Sequence, residues 1–232
     1  KEEVDLIGSG RTDAGVHAIG QRVSFSADFG LPIDKIVLTT NNHLQAVLKG
    51  LGPGPDLRIV EAIEKPLNFH ARYNSFGKKY KYVIKNTENF DLFNRNYSYW
   101  IKEKLNIHLM KAAAELIIGT HDFKCFQAAG GKKKLSTIRT VYSLNIMKDS
   151  KNEDYIIIEI VGDGFLYNMV RIIVGTLVEV GLGKIQVNEI SAIIDKKDRT
   201  KSGHTAPPQG LYLLEVYYDK IDERYGNINN GI

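Results

Sequence analysis

An α+β fold in two subdomains is what the sequence predicts, and three observations lead to it. From Lys78 onward the periodicity reads strand, helix, strand, strand, helix, strand. Ahead of it the chain reads strand, strand, helix, strand, and the change between the two falls near Ser75 to Gly77. The β-α-β-β-α-β order describes a ferredoxin-like (RNP-like) unit, an antiparallel sheet with its helices packed on one face. The front half reads as the same unit lacking its first strand and helix. We therefore expect an N-terminal subdomain over residues 1–76, a C-terminal subdomain over 77–222 and a frayed tail over 223–232, which is rich in Asn and Gly. Two antiparallel sheets side by side leave a cleft between them, and ligand sites favour such clefts.

Each element has a local reason. Val4 to Ile7 is an apolar run, and Ala18 to Asp28 alternates apolar and polar residues, with Gly20 placed for a bulge. Leu31-Pro32-Ile33-Asp34 opens a helix running to about Leu48, because Pro32 suits a first turn and Gly50 stands just past the end. Leu51 to Pro55 alternates glycine and proline and reads as a rigid turn, followed by a strand from Leu57 to Ile63. In the second half, strands are expected at Lys78–Lys85, Thr140–Met147, Tyr155–Val161 and Leu211–Tyr218. Helices are expected at Ile107–Ile118, Leu166–Val180 and Val187–Asp195.

Composition narrows the function. With 232 residues, 43% apolar and 25% charged, the chain can bury a real core. It has neither a run of about 18 apolar residues nor a secretory leader, so a cytoplasmic setting without membrane contact is expected. Cys125 is the single cysteine, which excludes an internal disulfide, and its neighbours Phe123 and Phe126 suggest a packed thiol. No Cys/His cluster has metal spacing and no cofactor motif is visible, so neither metal nor cofactor is expected. A net charge of +4 permits nucleic-acid binding without requiring it. Three basic clusters stand out: Lys78-Lys79-Tyr80-Lys81-Tyr82, Lys132 to Lys134, and Lys196 to Arg199. The last reads as a solvated helix end, whereas lysines interleaved with tyrosines suit a phosphate backbone with stacked bases.

The stretch Gly8-Ser9-Gly10-Arg11-Thr12-Asp13-Ala14-Gly15-Val16-His17-Ala18 places one carboxylate among three glycines. Glycine stands where a chain turns sharply or something approaches it closely, so Asp13 is displayed at a sheet edge. A phosphate loop would need Lys and Ser or Thr after Gly15, and a dinucleotide fingerprint would need a glycine in place of Asp13. A plain alternative is that Asp13 closes an Asx turn with Arg11 as its solvated partner.

Gly10 to Ala18 resembles, without a gap, the G-R-T-D-A-G-V-H-A catalytic loop of the TruA family of tRNA pseudouridine synthases. Three further segments are similar to that family: Phe69-His70-Ala71-Arg72 with Lys78 to Tyr82, Asn168-Met169-Val170-Arg171-Ile172-Ile173-Val174-Gly175, and Gly210-Leu211-Tyr212-Leu213. The resemblance implies Asp13 as the essential carboxylate, Tyr80 as a base-stacking tyrosine, Arg171 as an active-site arginine and Leu211 as the apolar wall of the uracil pocket. It implies Arg11 as a nucleotide or phosphate contact. Each also has a structural reading: Tyr80 and Leu211 as core, Arg171 as a helix residue with its head in water, and His17 as a hydrogen bonder. Family members carry a strand and a helix ahead of the loop, including a Y-D-G-x-x-F-x-G-x-Q segment, so the expectation is of a shortened chain.

By the same resemblance the chemistry is conversion of uridine to pseudouridine in the anticodon arm of tRNA, at positions 38, 39 and 40, by a homodimer. The base must leave its stack and is held between aromatic and apolar side chains. The carboxylate either attacks C1′ or removes the 2′ proton. Rival readings are a non-catalytic RNA-binding module, a related synthase acting at other tRNA positions, and a metal-dependent nuclease using Asp13. The module would keep the Lys/Tyr strand without needing Asp13, and the nuclease would need further carboxylates around an ion.

Overall fold

The structure is a computed structural model that describes residues 3–28, 30–47, 56–130 and 136–220. The expected turn at Leu51–Pro55, the Lys132–Lys134 cluster and the tail from residue 223 lie outside the described residues. The elements in chain order are β1 (Ile7–Gly8), β2 (His17–Ala18), β3 (Val23–Ser24), α1 (Ile33–Val47), β4 (Gly77–Asn86), β5 (Tyr99–Ile101) and α2 (Ile107–Glu115). They continue with β6 (Gly119–Asp122), β7 (Ile138–Lys148), β8 (Tyr155–Gly162), α3 (Met169–Gly181), α4 (Glu189–Lys196) and β9 (Leu211–Tyr217). The fold is mixed α+β.

One seven-stranded sheet runs β2-β9-β4-β8-β7-β6. β9 and β5 share one edge of β4: β9 pairs antiparallel with residues 77–82, and β5 pairs parallel with residues 84–86. The antiparallel ladders β4–β8 and β7–β8 form the centre. Strand periodicity decides what each face carries. Tyr82 and Ile84 of β4, Ile156, Ile158 and Ile160 of β8, and Leu144 and Ile146 of β7 are all buried. They form one core with Met110, Ala113 and Ala114 of α2 and nearly the whole of α3.

The residues between them face the other way. Lys79 pairs with Glu159 at 2.8 Å, Lys85 with Asp154 at 3.1 Å, and the Lys81 ammonium lies 5.1 Å from the centre of the Tyr212 ring. Tyr80 and Tyr82 therefore stand on the opposite face from Lys79 and Lys81. Of the cluster's lysines only Lys78 shares the face of Tyr80 and Tyr82, and its ammonium donates to the Ser9 carbonyl at 2.9 Å.

Two expected strands are corrected. The alternation from Ala18 to Asp28 yields only the two-residue β2 and β3. Gly20 is the reason: the amides of Ile19 and Gly20 both donate to the Leu213 carbonyl oxygen, at 2.8 and 3.1 Å. A Cβ on Gly20 would lie 2.1 Å from the Leu214 carbonyl oxygen. The chain thus presses on β9, leaves its edge, and pairs again only where β3 meets β1. The expected strand at Leu57–Ile63 is also absent. Its ladder partner is a side chain: Asn41 of α1 donates Nδ2 to the Ile59 carbonyl and accepts the Ile59 amide, both at 2.8 Å. The short strands β5 and β6 were not anticipated.

Cys125 is fully buried, and burial pushes its thiol up to about 12, as befits a packed sulfur.

Candidate active site

The glycine-rich loop is tied down at both ends. Ser9 is fully buried: its amide donates to the Arg22 carbonyl at 2.8 Å and its hydroxyl to Gln21 Oε1 at 2.6 Å. Gln21 in turn donates to the Gly10 carbonyl at 3.0 Å, and the Lys78 ammonium donates to the Ser9 carbonyl at 2.9 Å. Lys78 thereby fastens the loop to β4. The far end runs into β2, where His17 stacks between the rings of Tyr97 and Tyr212, at 5.2 and 4.6 Å between centres. Its Nε2 is 2.9 Å from the Asn96 carbonyl oxygen. His17 is a structural anchor, as the sequence suggested.

Between these ties Asp13 opens a tight turn closed by the main chain, with the Val16 amide donating to the Asp13 carbonyl at 3.0 Å. Gly15 sits third in the turn at φ +80°, a conformation that strains any residue with a Cβ. The carboxylate is therefore released from local capping. Its Oδ2 accepts Arg171 Nη1 at 2.9 Å, from a residue 158 positions away. Arg11 is exposed and has no hydrogen-bond or ion-pair partner among the described residues.

Arg171 lies in the first turn of α3 and is held on three sides. Its Nε donates to the Ala206 carbonyl at 2.7 Å, and its Nη1 is shared between Asp13 Oδ2 and Asn168 Oδ1, each at 2.9 Å. The head is thus engaged by protein, and the reading of a side chain with its head in water does not apply. Asn168 precedes α3 in the left-handed region at φ 58°, and its side chain makes no helix cap because it serves Arg171 instead.

Tyr80 and Leu211 belong to neighbouring antiparallel strands: Tyr80 faces Leu213 and Tyr82 faces Leu211, which puts Tyr80 and Leu211 diagonally on one face. Tyr80 meets the edge of Phe165 at 5.2 Å between ring centres. Burial first, and then the nearby Asp13 charge, push the Tyr80 phenol up to about 12. It is a protonated hydrogen-bond donor across the physiological range. Leu211 is buried at 7% exposure, so a planar ligand reaching it must displace or slide past its neighbours.

Five residues singled out from sequence thus divide. Asp13, Arg171, Tyr80 and Leu211 surround one region where the loop, β4, β9 and the start of α3 meet, and Arg11 stands apart in solvent. Two hollows of about 440 and 350 Å³ lie elsewhere on the surface, and neither is lined by Asp13. Sequence reasoning missed Asn168, Phe165 and the segment around Ala206. Only Asn168 carried a signal, as a polar residue three positions before Arg171.

Comparison with known proteins gives the family. A family model described as tRNA pseudouridine synthase matches residues 113–219, which include Arg171, Ala206 and Leu211. The chain is 50% identical over 217 residues to tRNA pseudouridine synthase A of Thermoanaerobacter sp. (strain X514), covering 94% of this chain and 84% of that protein. The protein of the same description from Acetivibrio thermocellus is 44% identical over 217 residues, again 94% and 84%. That from Exiguobacterium sp. is 40% identical over 222 residues, 96% of this chain and 84% of the relative. With identities at this level over nearly the whole chain, and with Asp13 and Arg171 joined across it, the protein belongs to the tRNA pseudouridine synthase A family.

Proposed function

We propose that the protein is a tRNA pseudouridine synthase, an isomerase that converts uridine to pseudouridine in the anticodon stem-loop, at positions 38, 39 and 40 in tRNA numbering. The observation that carries this is the Asp13–Arg171 pair at 2.9 Å, set beside the Tyr80 phenol. Family membership supports tRNA as the substrate. The same reading has the enzyme working in the cytoplasm as a homodimer that grips the anticodon arm. It also divides the chain into ferredoxin-like subdomains at 1–76 and 77–222. The strand order β9-β4-β8-β7, which interleaves α2 and α3 in sequence, supports that assignment for the second.

The reaction breaks the bond from C1′ to N1, turns the uracil and joins C1′ to C5. The proton lost from C5 balances the one gained at N1, so no donor or oxidant enters. Asp13 acts as an anion, either attacking C1′ or taking the 2′ proton. Arg171 fixes the carboxylate in direction, and Asn168 fixes Arg171. Positioning of this kind supplies a large part of catalysis when the reacting groups are held near their attack geometry. The extruded uracil is held by Tyr80 and Leu211. Arg11, free in solvent, meets phosphate.

Tyr80 cannot serve as a standing phenolate with its pKa raised so far. It moves the C5 proton only by passing its own onward, toward Asp13 or water, as that proton arrives. Replacing Tyr80 by phenylalanine keeps the ring and removes the relay. Turnover, measured as tritium release from tRNA labelled at C5 of uridine, should fall about 100-fold or more with tRNA binding kept. Turnover equal to the parent's would remove the proton-relay role. Absence of tritium release by the parent enzyme with a full set of tRNAs would overturn the proposed activity itself.

A further inference from the structure

Every residue of α3 is buried except Arg171 and Glu179. These two charged side chains are eight positions apart, so with Gly175 between them they form one ridge along the helix. The segment Gly203–Pro207 runs back along that ridge and is secured at every residue. The Gly203 amide donates to Thr176 Oγ1 at 2.9 Å, and the Gly203 carbonyl accepts Arg199 Nη1 at 2.9 Å. The His204 amide donates to Glu179 Oε1 at 3.0 Å, and the same oxygen is 2.9 Å from His204 Nδ1. Thr205 Oγ1 accepts Arg199 Nη2 at 3.1 Å. The Ala206 amide donates to the Arg171 carbonyl at 3.0 Å while its carbonyl accepts Arg171 Nε, and the Pro207 carbonyl accepts the Tyr82 hydroxyl at 2.7 Å.

The fit is made backbone to backbone. A Cβ on Gly203 would lie 2.6 Å from the Thr176 Cα, and one on Gly175 would lie 1.8 Å from the His204 carbonyl oxygen. Thr176 is fully buried, and its hydroxyl is satisfied twice, donating to the Ile172 carbonyl at 2.8 Å and accepting from Gly203. Beyond Pro207 the ring of Pro208 lies beside the loop, 3.2 Å from where a Cβ on Gly15 would stand, and the chain enters β9 at Leu211.

We propose that this strap is the mount that aims the active site, with Thr176 and Glu179 as positioning residues for the reaction. They touch neither Asp13 nor the substrate region. They act through Ala206, whose carbonyl sets the rotation of the Arg171 guanidinium, and through Pro208 and Leu211, which follow in the same chain. His204 and Thr205 alone separate the Thr176 contact at Gly203 from the Ala206 carbonyl, and only Thr205 separates the Glu179 contact at His204 from it. A small displacement there turns the arginine away from the carboxylate, and errors of about 1 Å at a reacting centre cost about 100-fold in rate.

The inference rests on the synthase reading, and its test separates the two. Thr176→Val keeps the shape but leaves the Gly203 amide without its acceptor; Thr176→Ser restores it. Glu179→Ala removes the acceptor of the His204 amide and Nδ1 at the exposed end, leaving that residue its Nε2 contact with the Tyr99 hydroxyl at 3.2 Å, and it provides the answer if the buried variant folds poorly. Tritium release and tRNA binding are measured for each, together with solvent exchange of the Arg171 Nε proton by NMR. We expect kcat about tenfold lower for Thr176→Val and Glu179→Ala, binding within about twofold of the parent, and faster exchange of the Arg171 proton. Thr176→Ser should recover most of the turnover and the slow exchange. Folded variants with parental kcat and parental exchange would overturn the mount, as would a loss of binding that accounts for the whole loss of activity. If the parent releases no tritium, the synthase reading fails, and the Arg171 proton still decides whether the strap holds the arginine.

Discussion

Asp13→Asn should reduce tritium release from C5-labelled tRNA by at least about 1,000-fold while leaving tRNA binding within a few-fold of the parent. The asparagine is isosteric and can still accept a hydrogen bond from Arg171 Nη1, so the loop, held independently by Ser9, Gln21 and Lys78, keeps its shape. What disappears is the anion. A neutral amide neither attacks C1′ nor removes a 2′ proton at a useful rate, whichever route the enzyme follows. A variant that retained a tenth of the parental rate would mean that Asp13 positions the substrate without reacting. A variant that lost binding in step with activity would assign it to recognition. Arg171, no longer facing a charge, is expected to lose part of its order on the Asp13 side but not at Ala206, because those bonds are independent.

What sequence could foresee follows from where the information lies. The strands β4, β7, β8 and β9 were legible because apolar residues alternate along them and one face of each is buried, as in Tyr82 and Ile84 or Ile156, Ile158 and Ile160. The stretch Leu57 to Ile63 has strand-like composition, yet its pairing partner is the side chain of Asn41, and no local pattern announces that. Ala18 to Asp28 failed as one strand because the close approach of Gly20 to Leu214 is a tertiary fact. Lysines interleaved with tyrosines suit a phosphate backbone with stacked bases, and a period of two puts Lys79 and Lys81 on the face opposite Lys78, Tyr80 and Tyr82. In the site, Asp13 and Arg171 were legible through the motifs around them, but their contact, 158 residues apart, was not a matter of spacing. The strap was invisible for a different reason. Gly203 to Pro207 acts largely through main-chain amides and carbonyls, which every sequence possesses, so its composition reads only as a loop.

Gly175→Ala is expected to lower both stability and turnover, and magnitudes decide the sign. Alanine is the better helix former, which favours the variant by about 1 kcal/mol. Against that, the new methyl would sit 1.8 Å from the His204 carbonyl oxygen and 2.8 Å from its carbon, and these are backbone atoms that cannot rotate away. Neither partner can yield cheaply. α3 is packed on the core along nearly its whole surface, and the strap is held by Thr176, Glu179 and Arg199. Forcing a methylene-sized group into such a contact costs about 3 kcal/mol or more, through overpacking and through the bonds the strap must give up as it lifts. The balance is a net loss of about 2 kcal/mol, read as a Tm lower by roughly 4–8 °C for a chain of this length. Because Ala206 lifts with the strap, Arg171 loses its Nε partner, and turnover of the folded variant should fall more than in Thr176→Val. A Tm at or above the parent's would show that the strap accommodates the methyl group and that its contact with α3 is looser than the packing at Gly175 requires.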